Sequence, residues 1–292
     1  MKSNNNVNNT CLARAIRFLL GSSFFLFPGL VLGQSYEGPE YCLTCHAEFH
    51  ETKLNDWRAS GHAFMLMTSE EARNRPIPLP GGFTWDDISY VVGGYGRKTL
   101  YLDNNGYFIT TTFDEDGVSR PGVNQYNLLT GEWSDYHPGE ENLPYDCGSC
   151  HTTNHVASGN QGGLPGIQGT WDAEGVECEQ CHGNGLTMNK DRSSELCGTC
   201  HTRGEDSGVI PAHGGFILNN GQYNELLAGP HDNVNCVSCH NPHKKSEFSI
   251  VRECTVCHSG RVEDAYLEHS MADYGVECKD CHMPFATLAA EA

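Results

Sequence analysis

Fourteen of the 15 cysteines in this 292-residue chain fall into seven copies of one motif, Cys-x-x-Cys-His. The motif cysteines are Cys42, Cys45, Cys147, Cys150, Cys178, Cys181, Cys197, Cys200, Cys236, Cys239, Cys254, Cys257, Cys278 and Cys281. The histidines that complete the motifs are His46, His151, His182, His201, His240, His258 and His282. Only 15 of the 292 residues are histidine, so chance does not place one after every cysteine pair. The histidine is therefore part of the chemistry of each motif.

Two thiols at this spacing, followed by histidine, form the attachment site of a c-type haem. The thiols add to the two vinyl groups on one porphyrin edge, and the histidine binds the iron as its proximal axial ligand. Disulfides and zinc sites are the alternatives for an exported Cys-x-x-Cys pair. Neither explains a histidine repeated at a fixed position. The motifs therefore predict seven covalently bound haem c groups.

Eight further histidines could supply the second, distal ligand of the irons, which is one more than seven fully ligated haems need. We expect distal ligation from His62, His231, His243 and His269. Three further candidates are His213, His137 and His155. Five methionines could act as thioether ligands instead, although packing against porphyrin is the expected role of Met65, Met67, Met188, Met271 and Met283.

Spacing separates these candidates. His50 and His155 each follow a proximal histidine by four residues, which puts them on the same face of a continuing helix, so neither can ligate its own haem. Each must serve a neighbouring haem or none. A helix ending near Gly61 would carry His62 about 24 Å from His46, again toward another haem. In Cys-His-Asn-Pro-His the proline turns the chain, so that His243 and His240 can face two different irons.

Residues 1–33 have the pattern of a secretory signal peptide, with basic residues ahead of an apolar run from Phe18 to Leu32. The alternative is an uncleaved N-terminal anchor. Cleavage after Gly33 would remove Cys11 and leave 259 residues with 15 basic and 37 acidic side chains, a formal charge of −22. No second long apolar segment follows, so no transmembrane anchor is expected in the mature chain. Such acidity argues against nucleic acid or anionic lipid as partner and fits basic docking surfaces on other redox proteins.

The composition is poor in core-forming residues, with 38% hydrophobic side chains, 33 glycines and 13 prolines. One haem for every 37 mature residues would let porphyrins take the place of apolar side chains, and the chain should not fold without them. The expected fold is a multihaem cytochrome c of short α-helices and coil around seven covalent haems, with one small β-hairpin element.

The gap of 105 residues between the first two motifs divides the chain. We expect a signal peptide over 1–33, a first haem-binding segment over 34–75, a haem-free segment over 76–135 and a six-haem domain over 136–292. Within the haem-free segment, strands Ile88–Val92 and Leu100–Phe113 around the turn Asp103–Gly106 predict the hairpin.

Several segments around the motifs resemble a superfamily of exported multihaem c-type cytochromes, and the resemblance covers most of the mature chain. They are Trp57–Ala63, Ile88–Gly96, Tyr145–Thr153, Gln222–Leu227 and Cys236–His243. The superfamily includes tetrahaem carriers of nitrifiers, hydroxylamine oxidoreductase and outer-surface cytochromes that form conducting filaments. The resemblance implies that His62, His231, His243 and His269 occupy distal positions.

The chain departs from this superfamily at two points. Where one or two histidines would precede Gln222, it has Asn219, Asn220 and Gly221, so one haem there could have an open face unless His213 ligates it. No motif ends in lysine, which argues against the related pentahaem nitrite reductases.

These features favour an exported heptahaem protein, periplasmic or at the cell surface, that carries single electrons along bis-histidine haems between redox partners and is not itself an enzyme. One alternative is a reductase or oxidase of a small nitrogen or sulfur species at one open-face haem. Another is the subunit of a conducting filament, with a second copy of the chain as partner. Spin state distinguishes the first alternative from a carrier, and imaging of secreted material distinguishes the second.

Overall fold

The computed structural model describes residues 35–185, 190–213, 216–259 and 274–283. Within these ranges the chain forms short helices, small antiparallel sheets and long stretches of turn and coil. The helices are α1 (Pro39–Phe49), α2 (Glu51–Arg58), α3 (Ser69–Ala72), α4 (Gly148–His151), α5 (Cys178–His182), α6 (Ser194–Gly198), α7 (Gln222–Ala228) and α8 (Cys278–His282). None of the helices in these ranges is both long and apolar enough to cross a membrane.

Every haem motif lies on a helical turn, as expected. The first motif lies within α1, and α4, α5, α6 and α8 carry four others, while the fifth and sixth motifs form 3₁₀ turns at Cys236–Ser238 and Cys254–Val256. Local caps hold such short elements. Pro39 stands in the first turn of α1, and the Ser193 hydroxyl accepts a hydrogen bond from Leu196 N at the start of α6.

The expected helix between the first motif and Gly61 is broken at His50. Its backbone (φ −134°, ψ 28°) ends α1 and begins α2, which ends at Arg58. A 3₁₀ turn over His62–Phe64 follows. His155 departs further from its expected position, because α4 ends at His151 and the chain continues as a strand. His155 and His151 therefore do not share a helical face.

Eleven strands lie in the described ranges. They are β1 (Leu66–Thr68), β2 (Ile88–Gly93), β3 (Lys98–Asp103), β4 (Thr111–Phe113), β5 (Ser119–Pro121), β6 (Gln125–Asn127), β7 (Glu132–Ser134), β8 (Thr152–Thr153), β9 (Ala173–Glu174), β10 (Ala212–His213) and β11 (Phe216–Ile217). Five form one antiparallel sheet in the order β1-β2-β3-β6-β7, and the others pair as β4-β5, β8-β9 and β10-β11.

The sequence predicted one small hairpin, and the structure contains more β structure than that. Strands β2 and β3 do form a hairpin, but its connection is the glycine-rich stretch 94–97. Gly93 has φ +77°, and a Cβ there would lie 2.4 Å from Lys98 O, so this turn requires glycine. The turn Asp103–Gly106 instead reverses β3 toward Phe108, which bridges to Leu102.

The apolar core of the described chain lies in and around the five-stranded sheet. All of the buried hydrophobic side chains in the described ranges fall between Leu66 and Ala173. One cluster centres on Leu102 and Tyr145, and a second centres on Val91 and Tyr101. Residues 176–259, with four haem motifs, contribute no fully buried hydrophobic side chain within the described part. Residues 66–173, which include the second motif, therefore have a conventional core, and the described part of residues 176–259 does not.

Candidate haem-attachment and axial-ligand sites

The motif thiols are available for covalent attachment over most of the described chain. Twelve are free and partly or fully exposed: Cys42, Cys147, Cys150, Cys178, Cys181, Cys197, Cys200, Cys236, Cys239, Cys254, Cys257 and Cys278. Cys45 forms a disulfide. That bond does not close the two-residue loop of its own motif, because Cys42 is free. Cys281 lies where no side chain is described. No group of three or more potential ligands in the described ranges has the arrangement of a metal-ion site.

Three of the motif histidines each face a spare histidine at the separation that a shared iron requires. The ring centres are 6.2 Å apart for His62 and His201, 6.1 Å for His182 and His243, and 5.8 Å for His231 and His258. Two imidazoles on opposite sides of one metal have centres about 6 Å apart, because each metal–nitrogen bond is about 2 Å long. These pairs bring together three of the four expected distal ligands, each with a motif from another part of the chain.

Hydrogen bonds orient several of these imidazoles. His62 Nδ1 lies 3.1 Å from Pro242 O, and His201 Nδ1 lies 3.0 Å from Gln222 Oε1. His243 Nδ1 contacts Asn241 Oδ1 at 3.0 Å, and His240 Nδ1 contacts Ser249 Oγ at 3.2 Å. A proton on Nδ1 leaves the lone pair on Nε2, the arrangement of a metal-ligating histidine. Sequence reasoning missed these four partners. Three of them lie 9, 21 and 180 residues from the histidine that they contact, and Asn241, two residues from His243, carries no signal of its own.

Burial favours the neutral form of four of the motif and spare histidines. It is the largest cause of the lowered pKa values of His62, His182, His240 and His243. Neighbouring positive groups act in the same direction at His182, where Lys190 follows burial in size. Neutral imidazole is the form that ligates iron, so burial of these rings favours ligation.

The other candidates do not face a motif histidine in this way. His50 stacks on His46 with ring centres 5.2 Å apart and planes 21° apart, a geometry of neighbours on one side. His137 has a positive φ of 46° and its Nδ1 lies 2.7 Å from Glu140 Oε2. His213 is exposed on β10. His269 lies outside the described residues, as do Met188 and Met271.

His155 occupies a glycine-lined site. A Cβ on Gly169 would lie 2.3 Å from His155 Nε2, and a Cβ on Gly148 would lie 2.9 Å from it. This nitrogen is buried without a hydrogen-bond partner. Close backbone on both sides indicates a packing role for the ring.

His151 differs from the paired histidines. Burial, followed by the positive charge of Lys98, lowers its pKa to about 4, and its Nδ1 is buried without a hydrogen-bond partner. Burial and the charge of Arg203 in turn lower the pKa of Lys98. The Arg203 Nη1 donates to Asn219 Oδ1 at 3.1 Å. Lys98 therefore lies near this motif, and Arg203, which lies near Lys98, is held by an asparagine that stands where a histidine was expected. A lysine on a strand carries no signal that sequence reasoning could have used.

Contacts between motifs define which of them are neighbours. Hydrogen bonds join the sulfur atoms of Cys42 and Cys178, of Cys150 and Cys200, and of Cys197 and Cys236. Reciprocal contacts support the second pair, since Cys150 Sγ lies 3.9 Å from Thr199 O and Cys200 Sγ lies 3.8 Å from Ser149 O. The first motif therefore adjoins the third, and the fourth adjoins both the second and the fifth.

At the twelve free thiols the residues present fit covalent haem, whereas the disulfide at Cys45 would have to open before haem attaches to the first motif. The free thiols, the opposed imidazoles and the neutral rings supply attachment and ligation. Apolar side chains also lie exposed beside the fifth and sixth motifs, where a flat porphyrin could pack on them: Val237, Ile250, Val251 and Val256.

Two family descriptions match adjacent parts of the chain. "Cytochrome c3" matches residues 170–259, and "Cytochrome c554 and c-prime" matches residues 130–183. Together they cover the second to sixth motifs. No curated protein is similar enough in sequence to count as a relative.

Two solved structures share the fold over most of the chain. The octahaem sulfite reductase MccA of Wolinella succinogenes superposes with a TM-score of 0.57 and 16% identity, covering 91% of this chain and 56% of its own. An undecahaem cytochrome from the S-layer of Carboxydothermus ferrireducens superposes with a TM-score of 0.50 and 17% identity, covering 90% and 53%. This chain spans about half the length of these proteins. The motifs, the two family matches and this shared fold together support a multihaem c-type cytochrome superfamily for this chain, and the matched cytochrome c domains imply covalently bound haem c.

Proposed function

We propose that the chain is an exported heptahaem cytochrome that carries single electrons between redox partners. Bound haem c supplies a one-electron iron couple at each motif. The observation that carries the proposal is the set of three opposed histidine pairs, with centre separations of 5.8 to 6.2 Å. A histidine on each face leaves no coordination position for a substrate, which suits electron transfer.

The contacts between motifs support an electron path. Sulfur contacts bring the attachment points of motifs one and three, two and four, and four and five side by side. Motif four has two such neighbours, so the path would branch there. His62 would add a link, since it reaches from the segment of the first motif to His201 in the fourth.

The proposed export follows from the signal-peptide pattern, and the proposed partners follow from the negative charge of the mature chain. Residues 1–33 have the signal-peptide pattern, and the formal charge of the remainder would be −22. One of the fold neighbours is an S-layer cytochrome, which supports a position outside the inner membrane. We propose redox partners with basic docking surfaces, whose association would weaken as ionic strength rises.

Haem number and spin state test this function together. The chain would be produced with a cytochrome c maturation system, its mass measured, and its ferric form studied by electron paramagnetic resonance. We expect the mass of seven haems and mainly low-spin signals. Fewer haems, or a majority of high-spin iron, would contradict the proposal.

The surroundings of His151 favour a second candidate, the binding and reduction of a small oxyanion at the second motif. No second histidine ring opposes His151 among the described contacts, while the positive charge of Lys98 acts on His151 and that of Arg203 acts on Lys98. Fixed cations would attract an anionic nitrogen or sulfur species to an iron with one open face.

Ligand binding tests the second candidate. We expect one high-spin ferric haem whose spectrum changes on addition of sulfite or nitrite. Lys98→Met should weaken that binding at least several-fold, whereas Lys279→Met on α8 should leave it unchanged. Seven low-spin haems that ignore both anions would exclude this candidate and leave the electron carrier intact.

A further inference from the structure

Glu179 is the one charged residue among the buried side chains of the described ranges, with 5% of its surface exposed. It occupies the position directly after the first cysteine of the third motif. Burial of an unpaired carboxylate costs free energy, so Glu179 needs hydrogen-bond donors close to its oxygens.

Backbone amides supply the compensation. Glu179 Oε1 accepts hydrogen bonds from Gly185 N at 2.8 Å and Glu37 N at 3.2 Å. Its Oε2 accepts from Glu37 N at 3.1 Å and Gly38 N at 3.3 Å. Every partner is a donor, as the acceptor-only ionised carboxylate requires. The side chain thereby ties the segment before α1 to the third motif.

The carboxylate also lies close to two attachment cysteines. The pKa of the Cys42 thiol is lowered chiefly by its hydrogen bond with Cys178, while burial and then the charge of Glu179 act against that lowering. Glu179 therefore acts electrostatically at the junction of the first and third motifs. The same junction is closed by Tyr36, which donates to Glu177, and by Trp57, whose Nε1 donates to Val176 O at 3.1 Å.

We propose that Glu179 is a positioning and redox-tuning residue that keeps a fixed negative charge at this junction. A buried negative charge stabilises the ferric form relative to the ferrous form, so it lowers the potential of iron held at His46 and His182. This inference rests on the proposed electron-transfer function. It adds a fixed charge that lowers the potentials at the first and third motifs relative to those with a neutral side chain at position 179.

Three variants of the full haem-loaded protein test the inference in a spectroelectrochemical titration. Glu179→Gln removes the charge at nearly constant shape and should raise the midpoint potentials of two haems. Glu179→Asp keeps the charge, moves it back by one methylene and breaks the amide contacts, so it should cause a smaller rise. Glu40→Gln removes an exposed charge from the first turn of α1 and should leave the potentials unchanged.

The relative size of the three potential shifts tests whether the charge of Glu179 tunes the haems. Unchanged potentials in Glu179→Gln would overturn the inference. A shift in Glu179→Asp as large as that in Glu179→Gln would overturn it as well, because it would show that Glu179 acts only through its structural contacts. If Glu179→Gln takes up too little haem, Glu179→Asp is used alone. Potentials of Glu179→Asp equal to those of Glu40→Gln would then overturn the inference.

The number of haems in the same samples distinguishes failure of this inference from failure of the proposed function, because a wild type with fewer than seven haems contradicts the proposed function.

Discussion

His62 shows how a single side chain joins distant parts of this molecule. It leaves the 3₁₀ turn after α2, faces His201 at 6.2 Å between ring centres, and has its Nδ1 near Pro242 O. Replacement of His62 by alanine should convert one haem from low to high spin, because the iron at His201 would lose its distal ligand. Spin quantification by electron paramagnetic resonance measures this change.

His137 offers a matched control for that experiment. It is a spare histidine as well, but its Nδ1 contacts Glu140 Oε2 and no described contact joins it to a motif histidine. His137→Ala should therefore leave the spin count of the wild type unchanged. Loss of a low-spin haem in both variants, or in neither, would refute the assignment of His62.

For single residues, the sequence predicts the chemistry of a side chain better than it predicts the burial and the neighbours of that side chain. Cys-x-x-Cys-His identifies His201 by its covalent pattern, and eight spare histidines could be counted against seven irons. By contrast, the burial of Glu179 and the approach of Lys98 to His151 depend on contacts between residues far apart in the chain. No local pattern encodes such contacts.

The five-stranded sheet is the element around which the apolar core of the described chain is built. Leu102 on β3 is fully buried, whereas Leu129 in the turn between β6 and β7 is 62% exposed. Leu102→Ala should lower the free energy of unfolding by about 2–5 kcal/mol, the usual cost of a large-to-small core substitution. Urea unfolding followed by tryptophan fluorescence would measure it.

The matched substitution Leu129→Ala removes the same atoms from the surface of the sheet. Its effect should stay within about 0.5 kcal/mol. Equal destabilisation by the two substitutions would show that the sheet core does not carry the stability of this segment.

Two tyrosines packed against the sheet make its stability sensitive to alkaline pH. Burial, the largest cause in both cases, raises the pKa of Tyr90 and of Tyr136 to about 12. An unfolded tyrosine titrates near pH 10. Above that pH the unfolded state loses protons that the folded state retains, so stability is full below about pH 10 and is lost as the pH rises toward about 12.

The free energy of unfolding, measured at several pH values from 9 to 12, tests this coupling. Tyr90→Phe should flatten the alkaline decline, because phenylalanine cannot ionise. Leu129→Ala in the turn between β6 and β7 removes no titratable group, so it serves as a control and should leave the slope unaltered. A slope in Tyr90→Phe identical to that of the wild type would contradict the coupling.

Helices and strands could be predicted where a local sequence pattern determines them. Helical turns at the motifs and the pairing of Ile88–Gly93 with Lys98–Asp103 follow from spacing and β-branched residues. The rest of the sheet was not predictable, because β1, β6 and β7 have only three residues each and gain stability from neighbours distant in sequence. The hairpin turn was misplaced for a related reason. Asp103–Gly106 is the stronger turn signal, yet it reverses the chain into a single bridge at Phe108.

The whole molecule combines two modes of stabilisation. Residues 66–173 contain all of the buried hydrophobic side chains of the described ranges. The following part, residues 176–259, contains four motifs and mostly half-buried or exposed apolar groups. Cofactor binding would have to supply the folding free energy that this second part lacks. The two parts should therefore differ in their need for haem.

Limited proteolysis of protein made without the cytochrome c maturation system tests this division. The haem-free chain should be cut rapidly over residues 176–259, because its backbone is held by few buried contacts, while a fragment spanning 66–173 should persist. Haem-loaded protein should resist cleavage in both parts. Peptide mapping by mass spectrometry identifies the cut sites, and the Leu102→Ala variant should remove the protected fragment. Uniform cleavage of the haem-free chain would show that haem stabilises the sheet as well, and uniform protection would show that the motif-rich part folds without it.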